Sequence, residues 1–357
     1  MGLSGYAVDA IGREHAYRPI KGDALFIGRQ ATYFTPTELT EKLRSHGNVV
    51  DPSAIEIDRT TVNRIPGYGQ IVTDRSIFRA LGVDSVRALD TSPYEGAEIV
   101  HNLNEPIPDS LRESADFIVD GSTLDNVFDP AMALRNLAAM LKPGGRVLMI
   151  NAWSPRDGSY ALCSPAWYFD FFVSNGFADC KTYVCVSAGN RANVYWLDPA
   201  FMRTAEARIR VPLLACWWRI PAVLVLAEKA REPSSSLVSP TQAHYRSERE
   251  WRSYLDNLAT IERSSRPHLA RSVGRMLPRT RSPRSNGFVW IDSSYNARPL
   301  GRSLGPAVRV VQRVRSAVRS VASAASGEWC SPLCWLASCV ASRSTLSPPP
   351  ARRQSTC

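Results

Sequence analysis

Asp120 and Asp125, within "FIVDGSTLDNVF" (117–128), are the residues whose type and spacing could do chemistry. Asp120 ends an apolar run of strand length, and Asp125 follows five residues on, in a turn. A carboxylate at the mouth of a sheet can take a proton or orient a ligand. Asp90 closes a second such run, "SVRALD" (85–90). Its two oxygens match the vicinal hydroxyls of a ribose, although "DTSP" is equally good turn chemistry. Gly28, in "ALFIGRQ", permits a close backbone approach after a third run. Other chemistries lack their residues. There is no GxSxG elbow, no phosphate-binding GxxxxGK[ST] loop, and no GxGxxG opening a strand–helix unit. The five histidines form no HxxxH pair, and Cys330, Cys334 and Cys339 form no CxxC, so no metal is expected.

The elements that must position these residues alternate in type. Strand-length apolar runs read at 24–29, 85–90, 97–104, 115–122 and 146–153. "CKTYVCVS" and "NVYWLD" read as two further strands, paired as a hairpin, which makes seven, and "PAVLVLAEKA" is a candidate for one more. Between them lie helical patterns. "PTELTEKLRSHG" has Thr35 as N-cap and Gly47 as its stop, "PAMALRNLAAML" has Pro130 in its first turn, and "SPAWYFDFFVSNGF" is capped by Ser164. This order predicts an α/β fold: a doubly wound, mostly parallel sheet of seven strands, covered on both faces. Ligands of such sheets bind outside the carboxyl ends of the strands, at the topological switch point. That singles out Gly28 to Gln30, Asp90 to Ser92, Asn102 to Asn104, Asp120 to Ser122 and Asn151.

The chain has 357 residues, 44% of them hydrophobic, enough for one large domain and additional material. Residues 1–200 carry a net charge of −6 and the remainder +16, so the overall +10 belongs to the C-terminal part. We read residues 1–19 as an N-terminal segment and 20–232 as the α/β domain. Residues 233–357 read as an Arg/Ser/Pro-rich, partly disordered extension with helices near 245–262 and 306–325 and a disordered tail. The second of those helices is basic and amphipathic, and offers weak contact to a membrane surface or to nucleic acid. The single, apolar-flanked cysteines suit a reduced compartment. The N-terminus lacks a basic segment followed by an apolar one, and the most apolar stretch, "VPLLACWWRIPAVLVLAEK", is split by Arg219 and two prolines. A cytoplasmic chain with no transmembrane segment is expected.

Together, "LFIGRQ", "LDTSPYEGAEIVHNLNEPIP", "FIVDGSTLDNVFDPAMALRNLAAMLKPGGRVLMI" and their order resemble the class I S-adenosylmethionine-dependent methyltransferases, over about residues 20–200. The finer pattern resembles a bacterial subgroup of unassigned substrate in which "GRQ" stands in for the glycine-rich loop. The resemblance implies a Rossmann-like fold, S-adenosylmethionine as cofactor, and methyl transfer to a small-molecule or glycan acceptor. It implies that Ile27, Gly28 and Arg29 lie beneath the methionine portion of the cofactor. Asp90 would hold the ribose with Thr91 and Ser92 beside it, and Asn102, Leu103 and Asn104 would lie near the adenine. Asp120 and Gly121 would border the transferred methyl, and Asp120 and Asp125 are the candidate catalytic residues.

The departures from that pattern narrow the chemistry. Asn104 stands where an acid commonly meets the adenine amine, and its amide oxygen can accept the same hydrogen bond. Asp125-Asn126 stands where Glu-His is frequent, and an amide cannot serve as a base. The segment after strand five, "NAWSPRDGSYALCSP", has no histidine, and Asp157 or Tyr160 are the residues placed to face an acceptor. Two alternatives stay open: a methyltransferase-fold protein with altered catalysis that binds or regulates, and a different Rossmann-like nucleotide enzyme.

Overall fold

The structure, a computed structural model, describes residues 2–59, 70–153, 158–188, 191–197, 220–233, 236–264, 288–292 and 297–299. The chain divides into two units, 1–302 and 303–357. The helix expected near 306–325, the tail, His268 and Asp157 lie outside the described residues.

Among the described residues, ten strands form one sheet. They are β1 (Asp23–Ile27), β2 (Ser85–Asp90), β3 (Ile99–Val100), β4 (Ala115–Gly121), β5 (Leu141–Ala152), β6 (Asp179–Ala188), β7 (Arg191–Leu197), β8 (Ile220–Glu228), β9 (Phe288–Asp292) and β10 (Ala297–Pro299). Their order is β3-β2-β1-β4-β5-β8-β6-β7-β9-β10. The five strands from β3 to β5 are parallel, and every pair beyond β5 is antiparallel. The sheet is therefore mixed, not the mostly parallel seven-stranded sheet that the sequence suggests. The discrepancy has a physical reason. Val223 to Ala227 of β8 are buried on both faces, which makes a continuous apolar run. Such a run marks a central strand but carries no sign of its direction. Here β8 inserts antiparallel between β5 and β6, and β6 then turns back as a hairpin into β7. Two short strands continue the edge past β7.

Helices cover both faces. Residues of α1 (Gly5–Tyr17), α2 (Pro36–Arg44) and α3 (Arg75–Arg79) pack with Ala24, Phe26, Ala88, Phe117, Val119 and Leu148 in one core. Residues of α4 (Pro130–Met140), α5 (Pro165–Ser174) and a last helix, α6 (Glu248–Arg263), pack with Leu25, Ile27, Leu89, Ile118, Val147 and Met149 in the other. The alternation of side chains along each strand creates the two cores: Phe26 points to one and Ile27 to the other. Arg146 of β5 ties α1 to the sheet, donating to Glu14 Oε2 at 3.1 Å and to the Arg18 carbonyl at 2.9 Å.

Local signals set the helix starts. Thr35 and Glu38 form a reciprocal capping box on α2, and Ser247 and Glu250 form one on α6. Asp129 caps α4 and Ser164 caps α5, each with proline at the first helical position. β5 begins earlier than its apolar run, at Leu141, so "LKPGG" is already strand, with a register shift against β4 between Ala115 and Phe117. β3 is only two residues long because Asn102 Oδ1 accepts from the Asn104 amide and turns the chain out of the sheet.

Candidate functional site

The order β3-β2-β1-β4-β5 reverses direction between β1 and β4, because the chain winds outward from β1 in both directions. That is the switch point, where the loops after neighbouring strands diverge and leave a crevice. The loop after β1 and the turn after β4 meet there. Gly28 has φ +70°, and its amide donates to the Leu89 carbonyl at 2.7 Å. A Cβ on Gly28 would lie 2.7 Å from Thr123 Oγ1 and 3.8 Å from Asp90 Oδ2. Conformation and space both require glycine at this position. Thr123 Oγ1 donates to the Ile27 carbonyl at 2.6 Å, which locks the β4 turn onto the end of β1.

Asp90 ends β2 half-buried. Its Oδ1 accepts from the Thr91 amide at 2.6 Å, and its Oδ2 accepts only a long contact, 3.4 Å, from the Arg29 amide. Lone pairs on Oδ2 therefore remain for a ligand donor. Thr91 and Ser92 are exposed beside it. The Arg29 side chain turns away. It forms a bidentate pair with Asp74 at 3.0 Å and 3.0 Å and donates to the Glu95 carbonyl at 2.7 Å. Ile27 is wholly in the core, and its carbonyl accepts from Thr123 Oγ1 and from Gln30 Nε2. Asn102 and Asn104 are exposed and share a hydrogen bond at 2.9 Å, while Leu103 is buried. The side-chain Oδ1 of Asn104 also accepts from the Asp129 amide at 2.9 Å, joining this loop to the start of α4.

Beneath the rim lies a carboxylate network. Asp120 is fully buried. Its Oδ1 accepts from the Thr123 amide at 2.8 Å and the Leu124 amide at 3.2 Å, and its Oδ2 from Asn151 Nδ2 at 2.8 Å. Burial raises its pKa to about 7, against the lowering effect of those donors, and the charge of Asp125 adds to the rise. Asp125 is also fully buried. It accepts from Ser122 Oγ at 2.7 Å, from Asn126 Nδ2 at 2.9 Å and from the Ala152 amide. Asn151 bridges the two acids, since its Oδ1 accepts from the Asp125 amide at 3.2 Å. Ser122 sits at φ +73°, a conformation that costs a residue other than glycine. Its hydroxyl bond to Asp125 helps hold it there. Near these acids, burial pushes the Cys163 thiol up to about 11 and the Tyr168 phenol well above its ordinary value, so both are neutral. Phe128 and Tyr160 are exposed and meet edge to face, their ring centroids 6.4 Å apart.

The structure thus brings Gly28, Asp90, Thr91, Asp120, Gly121 and Asp125 to one edge of the sheet. It places the Arg29 side chain and the Leu103 side chain away from the opening. Sequence reasoning singled out Gln30 only as part of the loop after β1, with no role of its own, and missed Asp74 and Thr123. Asp74 had no local signal, being 45 positions from Arg29. Among the described residues no cluster of three metal-ligating side chains occurs, and no helix is long and apolar enough to cross a membrane. A cavity of about 650 Å³ opens elsewhere, lined by Arg112, Glu113, Arg135 and Lys229. Its cations are engaged: Lys229 Nζ donates to the Leu141 carbonyl at 2.7 Å and lies 3.5 Å from Glu113, and Arg135 bonds Ser239.

No family model and no curated protein matches the chain. Among solved structures it is similar to the YcgJ protein of Bacillus subtilis, at 13% identity and a TM-score of 0.33, over 64% of this chain and 100% of that one. A phosphoethanolamine N-methyltransferase of Haemonchus contortus, in complex with S-adenosylhomocysteine, aligns at 12% identity and a TM-score of 0.34. That alignment covers 62% of this chain and 52% of the other. A putative methyltransferase of Bacillus halodurans aligns at 12% identity and a TM-score of 0.30, over 43% and 86%. Similarities of this size leave the argument to the chain's own strand order and motifs. Two of these three structures carry a methyltransferase name, and the chain itself shows the strand order. Its parallel half and its switch point are those of a Rossmann-like α/β fold.

The residues at the switch point fit an adenosine cofactor. Asp90 Oδ2 retains accepting capacity at the end of β2, where a ribose is held in folds of this class. A Cβ would close the approach at Gly28, and another would collide with the Gln30 side chain at Gly121.

Proposed function

We propose that the protein binds S-adenosylmethionine across the ends of β1, β2 and β4 and transfers its methyl group to a small-molecule or glycan acceptor. One observation carries this reading: the Asp90 carboxylate, at the end of β2 beside the switch point, keeps accepting capacity on Oδ2, which receives only the Arg29 amide at 3.4 Å. When bound, the cofactor supplies an electrophilic methyl on a sulfonium. The chain's own residues have to bind, align and exclude water. Asp90 would hold the ribose hydroxyls, and the loop of Asn102 to Asn104 would border the adenine. Asp120 and Asp125 have most of their lone pairs engaged by the turn and by Asn151. They serve this reading as positioning residues that hold the shape of the β4 turn. The exposed Phe128 and Tyr160, which meet edge to face, would offer apolar surface to an acceptor.

Calorimetry with S-adenosylmethionine and S-adenosylhomocysteine tests the reading. Wild type should bind both, and Asp90→Ala should bind at least about tenfold more weakly, or about 1.4 kcal/mol. No binding by the wild type sinks it, and undiminished binding by the variant sinks the placement of the ribose.

A second reading has an observation in its favour. Both candidate catalytic acids are fully buried, and Asn126 donates to Asp125 and to the Ser122 carbonyl instead of offering a base. A protein that binds the cofactor without turnover, as a regulatory or binding subunit, would need no more. Cofactor binding without methylation of any acceptor in a broad substrate screen would favour it.

A further inference from the structure

We propose that Gln30 is a cofactor-binding residue, its side-chain carbonyl accepting from the α-ammonium at the methionine end of S-adenosylmethionine. The inference rests on the cofactor reading above and adds a residue and a role to it.

Gln30 is 2% exposed, and its Oε1 has no hydrogen-bond partner among the described residues. The orientation of the amide follows from its other end. Nε2 donates to the Ile27 carbonyl at 2.9 Å and to the Gly28 carbonyl at 3.3 Å. Reversing the amide would set its oxygen against two carbonyls. The backbone is fixed as well, because the Gln30 amide donates to Asp74 Oδ2 at 2.9 Å. Oε1 is thus held against Gly121, where a Cβ would lie 2.1 Å from it. Only glycine at position 121 leaves room for this side chain.

The place matters as much as the missing partner. Gln30 bridges the end of β1 and the end of β4, the two strands between which the winding reverses. Loops of this class usually bring glycines there so that the backbone can approach the ligand. This chain has one glycine in "GRQ", and fills the remaining space with an amide. A buried carbonyl without a donor is unfavourable, and such groups are retained where a ligand supplies the donor. The ligand group must donate. A Cβ on Gly28 would lie 3.6 Å from Gln30 Nε2 and 3.8 Å from Asp90 Oδ2, so the Asp90 carboxylate, with accepting capacity left, stands on the same side and favours a cation. An ammonium has three donors and matches this set.

The test is a two-by-two calorimetric cycle: wild type and Gln30→Met, each with S-adenosylhomocysteine and with its desamino analogue. The ratio of the two affinities is unaffected by any inactive fraction of a variant. Wild type should prefer the amino compound at least tenfold, and Gln30→Met should lose most of that preference. A preference equally large in wild type and Gln30→Met overturns the proposal, and so does a wild type indifferent to the amino group. If wild type binds neither compound, the cofactor reading itself fails and this one falls with it.

Discussion

Burial raises the pKa of Asp120 to about 7, and a carboxylate in an unfolded chain ionises near 3.8. Between those values the folded chain holds a proton that the unfolded chain has released. Stability therefore falls as pH rises from about 4 to 7 and levels off above. Three pKa units correspond to about 4 kcal/mol, an upper bound for one buried group. Urea unfolding of wild type and Asp120→Asn at pH 5 and pH 8 reads this difference. Wild type should lose up to a few kcal/mol relative to the variant across that interval, and identical pH slopes would refute the assignment. The position of Asp120 was legible in the sequence, since an acid that ends an apolar run must stand at a sheet edge. Its depth was not. Asn151, 31 positions away, and the amides of Thr123 and Leu124 complete its shell, and only the folded turn gathers them. The same limit applied to Gln30, whose neighbour Gly121 comes from another strand.

At the scale of elements, the loop after β1 depends on α3. Asp74, the N-cap of α3, is fully buried and receives Arg29 Nε and Nη2, the Gln30 amide and the Arg75 amide. Removing one partner of a buried pair leaves an uncompensated charge, at a cost of about 3–5 kcal/mol. Asp74→Ala should lose stability of that order, and should weaken cofactor binding although Asp74 itself lies behind the loop. A urea unfolding curve and a calorimetric titration measure the two effects; a loss under about 1 kcal/mol would mean that Arg29 finds another partner. The elements themselves were easier to read than such links. Thr35, Asp129, Ser164 and Ser247 cap their helices through contacts within four residues. Strand direction was harder, because the burial that makes β8 apolar is the same in either direction. The sequence also showed β3 too long, since the turn at Asn102 is a side-chain bond inside an otherwise extended-looking run.

At the scale of the molecule, the charge asymmetry and the packing divide the C-terminal part at different places. α6 belongs to the core: Tyr254, Leu258 and Ile261 are buried with α4 and α5, and the Tyr254 hydroxyl donates to Asp170 at 2.7 Å. β9 pairs with β7 over five residues. A cut near 235 therefore removes part of the folded sheet and of one core. The second unit, 303–357, carries Arg309, Arg313, Arg315, Arg319, Arg343, Arg352 and Arg353 against Glu328 alone. A chain ending at 302 should keep its melting temperature and its affinity for S-adenosylhomocysteine, while losing the larger part of any binding to anionic vesicles or nucleic acid. That binding, measured from 50 to 200 mM salt, should weaken steeply for the full chain, because it would rest on counterion release. Truncation at 235 should instead lower the melting temperature and the cofactor affinity together. If the cut at 302 also abolishes cofactor binding, the separation of residues 1–302 from a basic appendage is wrong.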